Sequence, residues 1–124
     1  MRDFTKSMSM VAGATLLTLG AAGSAHAQDF NGAQLSGFCQ SERDKVKTTT
    51  CFAFIKGSVD TYLILTRVGA IAKPVACLPA NVSVDLLRRA YVAWSRKNGP
   101  AAQRHSAADA LMVSWRTSFP CGKK

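Results

Sequence analysis

Four cysteines, Cys39, Cys51, Cys77 and Cys121, constrain this chain of 124 residues more than any other feature. All four follow a leading stretch, residues 1–27, that reads as a secretory signal. Arg2 and Lys6 give it a basic start, diluted by Asp3. Met8 to Ala22 is small and apolar, and Ala25-His26-Ala27 has the A-x-A form of a cleavage site. The apolar run is short, rich in Gly and Ala, and no stop-transfer pattern follows, so no membrane span is expected once the leader is cleaved. The mature chain is expected to begin at Gln28 and run as one domain to Lys124. An even cysteine count in a short exported chain reads as two disulfides. There is no C-x-x-C, and His105 is the one histidine after the leader, which argues against a zinc site and against a thioredoxin-like redox pair.

Between the cysteines, apolar residues recur at helical spacing. The longest such run is Cys51 to Leu65. At about 100° per residue it places Cys51, Phe54, Ile55, Ser58, Val59, Tyr62 and Leu65 on one broad face. Behind them Ala53, Gly57 and Ile64 form a small, smooth strip, which is expected to lie under another helix or a second subunit. Gly57 is expected to mark a close backbone approach there, because Gly in a helix costs about 1 kcal/mol against Ala. Ahead of this helix, Ser41 to Thr50 is polar and aperiodic and reads as a loop, with a threonine from Thr48 to Thr50 as the cap.

The remaining helices announce their ends. Asn31 and Gln34 stand at capping-box spacing before Leu35 and Phe38, so a short first helix is expected to finish near Cys39, with Phe30 stapled onto Leu35. Gly69 and Pro74 end the long helix. Ser83 caps a third, with Asp85 near its positive end and Leu87, Ala90, Tyr91 and Trp94 facing inward. Asn98-Gly99-Pro100 stops it. Ser106 and Asp109 open a fourth, whose apolar face carries Ala108, Leu111, Met112, Trp115 and Phe119. No strand-like alternation occurs. The expected class is all-α, a small four-helix bundle.

Helix order then selects the cysteine pairing. Helices joined by short loops tend to be antiparallel neighbours. Cys39 ends the first helix and Cys51 opens the second; Cys77 precedes the third and Cys121 follows the fourth. The pairs Cys39–Cys51 and Cys77–Cys121 follow, worth about 3 and about 4 kcal/mol by loop entropy. A core this small benefits from such staples.

The charge is +9 at pH 7, with 16 Lys and Arg against 7 Asp and Glu. Export makes nucleic acid an improbable partner, and no aromatic residues interleave with the basic ones as a single-strand binder requires. Catalytic constellations are equally lacking. A Ser–His–Asp triad would need His105 beside a buried acid, and His105 stands at a helix entrance. No G-x-S-x-G, H-E-x-x-H or phosphate-binding loop occurs. No enzyme activity, cofactor or metal is expected. The candidate partner-binding residues are Arg88, Arg89, Val92, Arg96, Lys97, Arg104 and His105. Read on a helical wheel, Val92 is a small apolar anchor ringed by arginines, an arrangement interfaces favour.

The spaced combination of Cys39, Cys51-Phe52-Ala53-Phe54-Ile55-Lys56-Gly57-Ser58-Val59-Asp60, Cys77-Leu78-Pro79-Ala80-Asn81-Val82-Ser83 and Phe119-Pro120-Cys121 resembles the Rap/Tai family, periplasmic immunity proteins of type VI secretion systems. The likeness covers about Gly37 to Cys121. It implies a small helical, disulfide-bonded fold similar to the acid-stress chaperone HdeA. It also implies a periplasmic protein, often dimeric, that binds and blocks a peptidoglycan-cleaving amidase toxin and needs no catalytic residue of its own. The matching residues are caps, cysteines and packing positions, so no toxin-contacting residue is carried over by position. On exposure and charge, Arg96 to His105 is the expected contact region. The alternatives are an HdeA-like chaperone, for which the chain has few groups titrating at acidic pH, and a binder of anionic envelope polymers, which the positive charge and Lys123-Lys124 would suit.

Overall fold

The computed structural model describes residues 30–122. The leader, the cleavage site and the Lys123-Lys124 tail lie outside the described residues. Five helices make up the fold: α1 (Gly32–Gln40), α2 (Lys45–Arg67), α3 (Val84–Lys97), α4 (Gly99–Arg104) and α5 (Ala107–Ser118). No named strand occurs among the described residues. The all-α class and the small disulfide-stapled bundle are as the sequence indicates, with one short helix more.

Capping chemistry was the most legible feature. Asn31 Oδ1 accepts from Gln34 N at 2.9 Å, and Gln34 Oε1 accepts from Asn31 N at 2.9 Å, a complete capping box. Ser83 Oγ accepts from Leu86 N at 3.1 Å, and Ser106 Oγ from Asp109 N at 3.2 Å. Gly69, at φ 76, takes the left-handed conformation that closes α2. The Phe30 ring meets Phe38 at a tilt and Phe54 edge-on, with ring centroids 5.5 and 5.6 Å away.

Two helix boundaries differ from expectation. The stretch read as a loop up to Thr50 is helical from Lys45, and the cap is Asp44, which accepts from Lys47 N at 3.1 Å. That backbone hydrogen bond, with help from the Lys47 ammonium, holds the Asp44 carboxyl below its ordinary pKa. The first turns of α2 project beyond the core, so their sequence shows no apolar period; periodicity reports the buried part of a helix, not its full length. Their threonines bond to backbone carbonyls, Thr48 Oγ1 to Ser41 O at 2.6 Å and Thr50 Oγ1 to Val46 O at 2.8 Å. The second difference is α4. Asn98-Gly99-Pro100 ends α3 as expected, and Pro100, in a first turn, also starts a helix, because its missing N–H is not needed there. Ala102 of α4 is buried against the core.

Like α1, α3 packs on all four of the other helices. It therefore buries more than one stripe: Leu87, Tyr91, Val92, Trp94 and Ser95 are all enclosed. Ser95 Oγ meets Ser36 Oγ of α1 at 2.7 Å, a buried pair in which each hydroxyl has a partner. Burial also pushes the Tyr91 phenol well above its ordinary pKa, and its hydroxyl donates to the carbonyl of Gly32.

Gly32 sits where α1, α3, α4 and α5 converge. A Cβ there would lie 2.5 Å from Ala110 Cβ and 2.7 Å from Ala102 O. Its N–H donates to His105 O at 3.0 Å, and Ala107 N donates to Phe30 O at 2.7 Å, so the chain entering α1 is clasped to the chain entering α5.

Both disulfides form as expected. Cys39–Cys51 is buried and joins α1 to α2. Cys77–Cys121 lies nearer the surface and ties the α2–α3 loop to the end of α5, beside Cys77 N donating to Phe119 O at 2.8 Å. The Tyr62 hydroxyl holds the same loop, donating to Ala76 O at 2.6 Å and accepting from Ala76 N at 3.1 Å.

The expected cover over the back of α2 is not supplied by the described residues. Ile64 is 53% exposed, and a Cβ on Gly57 would meet nothing within 4 Å.

Two outcomes follow from this packing. Gly32→Ala is expected to destabilise the protein by about 2–3 kcal/mol in denaturant unfolding, because the atoms it meets are backbone and a core methyl. Limited reduction followed by alkylation and mass mapping should label Cys77 and Cys121 before Cys39 and Cys51, since a thiol reagent must reach the sulfur it attacks. Simultaneous labelling of all four would contradict that order.

Candidate functional site

The basic residues singled out in the sequence divide into two groups. Arg88 is structural. Its Nε and Nη2 donate to Asp85 Oδ1 at 3.0 and 2.9 Å, and its Nη1 donates to Cys39 O at 3.1 Å. It thus satisfies a carbonyl in the last turn of α1. The guanidinium lies 5.7 Å from the centroid of the Phe52 ring, and the side chain is 22% exposed. Arg89 is more open but pairs with the other Asp85 oxygen at 3.1 Å. Val92 is 8% exposed and belongs to the core, so its reading as a surface anchor is corrected. Two contact faces on α3 were treated as one: α1 and α2 cover the side that a simple wheel assigns to solvent.

The second group stands at the other end of α3, roughly 12 Å from Arg88 at 1.5 Å per residue. Arg96 Nε reaches Gln40 Oε1 at 3.1 Å. Lys97, Arg104 and His105 are exposed, and no carboxylate among the described residues pairs with them. Asn98 closes α3 with its N–H on Trp94 O at 3.0 Å, which turns the chain into α4 and fixes the corner. The result is a rigid, basic α3–α4 corner suited to an anionic protein surface. His105 has its backbone engaged, with N–H on Ala101 O at 3.1 Å and its carbonyl on Gly32 N. Its ring is exposed.

One surface was not named as a site from the sequence. An open apolar groove of about 500 Å³ runs between α2 and α5. Its α2 wall is Ala53, Phe54, Gly57, Ser58, Thr61, Tyr62 and Leu65; Ala108 and Met112 of α5 form the other, and Ile71 closes one end. It exists because α2 packs on α1 and α3 while α5 packs on α1, α3 and α4, leaving the two helices unmatched on their outer sides. The Tyr62 and Trp115 rings meet edge-on at 6.5 Å where the two helices come nearest. The sequence held a signal for it. Ala108 and Met112 were assigned to the apolar face of the last helix, yet that helix buries Ala107, Ala110, Leu111, Ser114 and Trp115. The apolar face is wider than the core it covers. Among the described residues no group of His, Cys, Asp and Glu could hold a metal ion, and no helix is long and apolar enough to cross a membrane.

Such a frame, with its chemistry confined to packing, caps and disulfides and its polar variety on the surface, defines a small stapled helical scaffold that works by contact. The comparison with known families agrees. The family described as Rap1a immunity proteins matches residues 31–121, from the cap of α1 to the last disulfide cysteine, and the chain belongs to that family. Its function is accordingly that of an immunity protein, one that binds a toxin partner, and such proteins are generally non-enzymatic. Two disulfides in a small protein of this kind point to an exported, oxidising setting. No curated protein and no solved structure matches the chain.

The two groups of basic residues should separate in a stability measurement. Arg88→Ala is expected to lower unfolding stability by about 1.5–3 kcal/mol, because it strips a charge-assisted hydrogen bond from a helix end. Arg104→Ala should stay within about 0.5 kcal/mol of the parent.

Proposed function

We propose that the protein is a periplasmic immunity protein that binds and blocks a peptidoglycan-cleaving amidase delivered by a type VI secretion system. The observation that carries this reading is the family match across every helix and both disulfides. Inhibition of this kind needs complementary shape and charge at the toxin's cleft and no chemistry from the inhibitor. The basic corner of Arg96, Lys97, Arg104 and His105 is the contact surface in this reading, since its cations are free of structural ion pairs whereas Arg88 and Arg89 are held by Asp85. The signal peptide over residues 1–27 would deliver the chain to the compartment where cell wall is cut. The protein acts by binding alone and is not itself an enzyme in this account.

The test is capture of the amidase encoded beside this gene, together with survival of cells that carry that amidase in the periplasm. Expression of the protein should prevent lysis. The variant Arg96→Glu, Lys97→Glu, Arg104→Glu should bind the amidase about tenfold more weakly or worse, with an unchanged melting temperature and with the loss concentrated in association rate at low salt. If no amidase is captured and lysis proceeds regardless of expression, the reading fails.

A further inference from the structure

We propose that the groove between α2 and α5 is a docking site for an amphipathic helix of a partner protein, apolar on one side and acidic along its flanks. The inference does not depend on which toxin, if any, the basic corner engages.

Three observations converge on it. The first is Gly57. It occupies the middle of a 23-residue helix, where Gly is less stable than Ala by about 1 kcal/mol. Nothing among the described residues requires it, because a Cβ there would stand in open space. A residue that breaks a local rule without an internal reason points to a contact outside the chain, and a missing Cβ serves the close approach of another backbone. The second is shape. Ala53, Gly57, Thr61 and Leu65 repeat every four residues along one wall, with Ala108 and Met112 at the same spacing on the other. Two such helical walls with a gap between them accept the ridge of a third helix. From Ala53 to Leu65 the wall spans about 18 Å, room for roughly three helical turns. Beyond its rim Ile64 and Val68 remain exposed, at 53% and 69%, and extend the apolar surface.

The third is charge. Arg116 stands one turn beyond Met112 on the outer side of α5, and Lys73 follows Ile71 at the closed end. Both are exposed, without an ion-pair partner among the described residues. Asp60 is paired with Lys56, whereas Asp109 accepts from Ser106 Oγ at 2.8 Å and keeps its charge, so one carboxylate stands against the two cations. The rim is left net positive. A second copy of this chain would bring the same cations against it, in a protein of charge +9. A partner helix with acidic flanks meets no such repulsion, and that selects it as the occupant.

The experiment uses the oxidised full-length protein after leader removal and two helix-stapled peptides. Both carry the same leucine stripe at i, i+3, i+4 and i+7; one has glutamates on its flanks and the other lysines. Fluorescence anisotropy should show saturable binding of the Glu-flanked peptide, about tenfold or more tighter than its Lys-flanked counterpart and weakened by salt. Gly57→Arg should abolish it while leaving the circular dichroism unchanged and raising the melting temperature slightly, since the site is open to solvent and Arg is a better helix former than Gly. Arg116→Glu with Lys73→Glu should erase or reverse the preference between peptides. Failure of both peptides to bind overturns the proposal. So does equal binding of the two, which would mean unspecific apolar adhesion, and so does a dimer in sedimentation that Gly57→Arg converts to monomer, which would make a second copy the occupant. Because the readout is peptide binding, a negative result here leaves amidase capture unaffected, and the reverse also holds.

Discussion

Everything in this fold is keyed to a point where there is no space for a side chain. Gly32 places its backbone between the methyl of Ala110 and the carbonyl of Ala102, donates to the His105 carbonyl and accepts from the Tyr91 hydroxyl. Four helices meet on one residue because only glycine lets them come this close. With that contact made, Phe30 lies against Phe54, α1 lies along α3, and Cys39 faces Cys51. The clasp also sets both α1 and α3 against all the other helices. The long α2, the richest apolar stretch in the sequence, packs from one side only.

That displacement explains most of what the sequence did and did not reveal. Caps are local: a side chain and a backbone N–H three residues apart decide them, so Asn31, Ser83 and Ser106 were legible. The disulfides were legible because helix order leaves few ways for the ends to meet. Val92 was misplaced because a wheel assigns one buried face per helix, whereas a helix surrounded on several sides has no free one. Gly32 could not be picked out, since its role depends on where Ala102 and Ala110 sit, and both are distant in the chain. The early start of α2 was missed for the opposite reason. Its first turns touch little, and a helix that touches little leaves no apolar period.

Surface sites are less legible than cores for a related reason. The basic residues form a run on paper from Arg88 to His105, and the fold cuts that run in two. Arg88 spends its guanidinium on the end of α1, and Arg89 shares Asp85 with it. Within that run, the α3–α4 corner is the part that keeps its cations free of carboxylates among the described residues. The division rests on one acid, Asp85, whose primary local role is to favour the positive end of α3. A helix-capping preference thereby decides which arginines can take part in recognition.

The arrangement separates what must stay constant from what can change. Glycine clasp, disulfides, α3 and caps form a closed set, each satisfied within the chain. The corner and the groove are unsatisfied: one has cations without counter-charges, the other an apolar wall and an unexplained glycine. Substitutions on either surface leave the frame nearly untouched, because the stability of small stapled domains resides in the core and cross-links. A scaffold of this kind can follow a changing partner by altering surface residues alone. The two surfaces also differ in physics. A binding corner would act through charge over a range set by salt, whereas a binding groove would act through contact and water exclusion. Charge brings a partner in and orients it; apolar burial slows its departure. The two proposed contacts are therefore separable: a substitution that alters the charge of the corner leaves the apolar walls of the groove as they are, and the reverse.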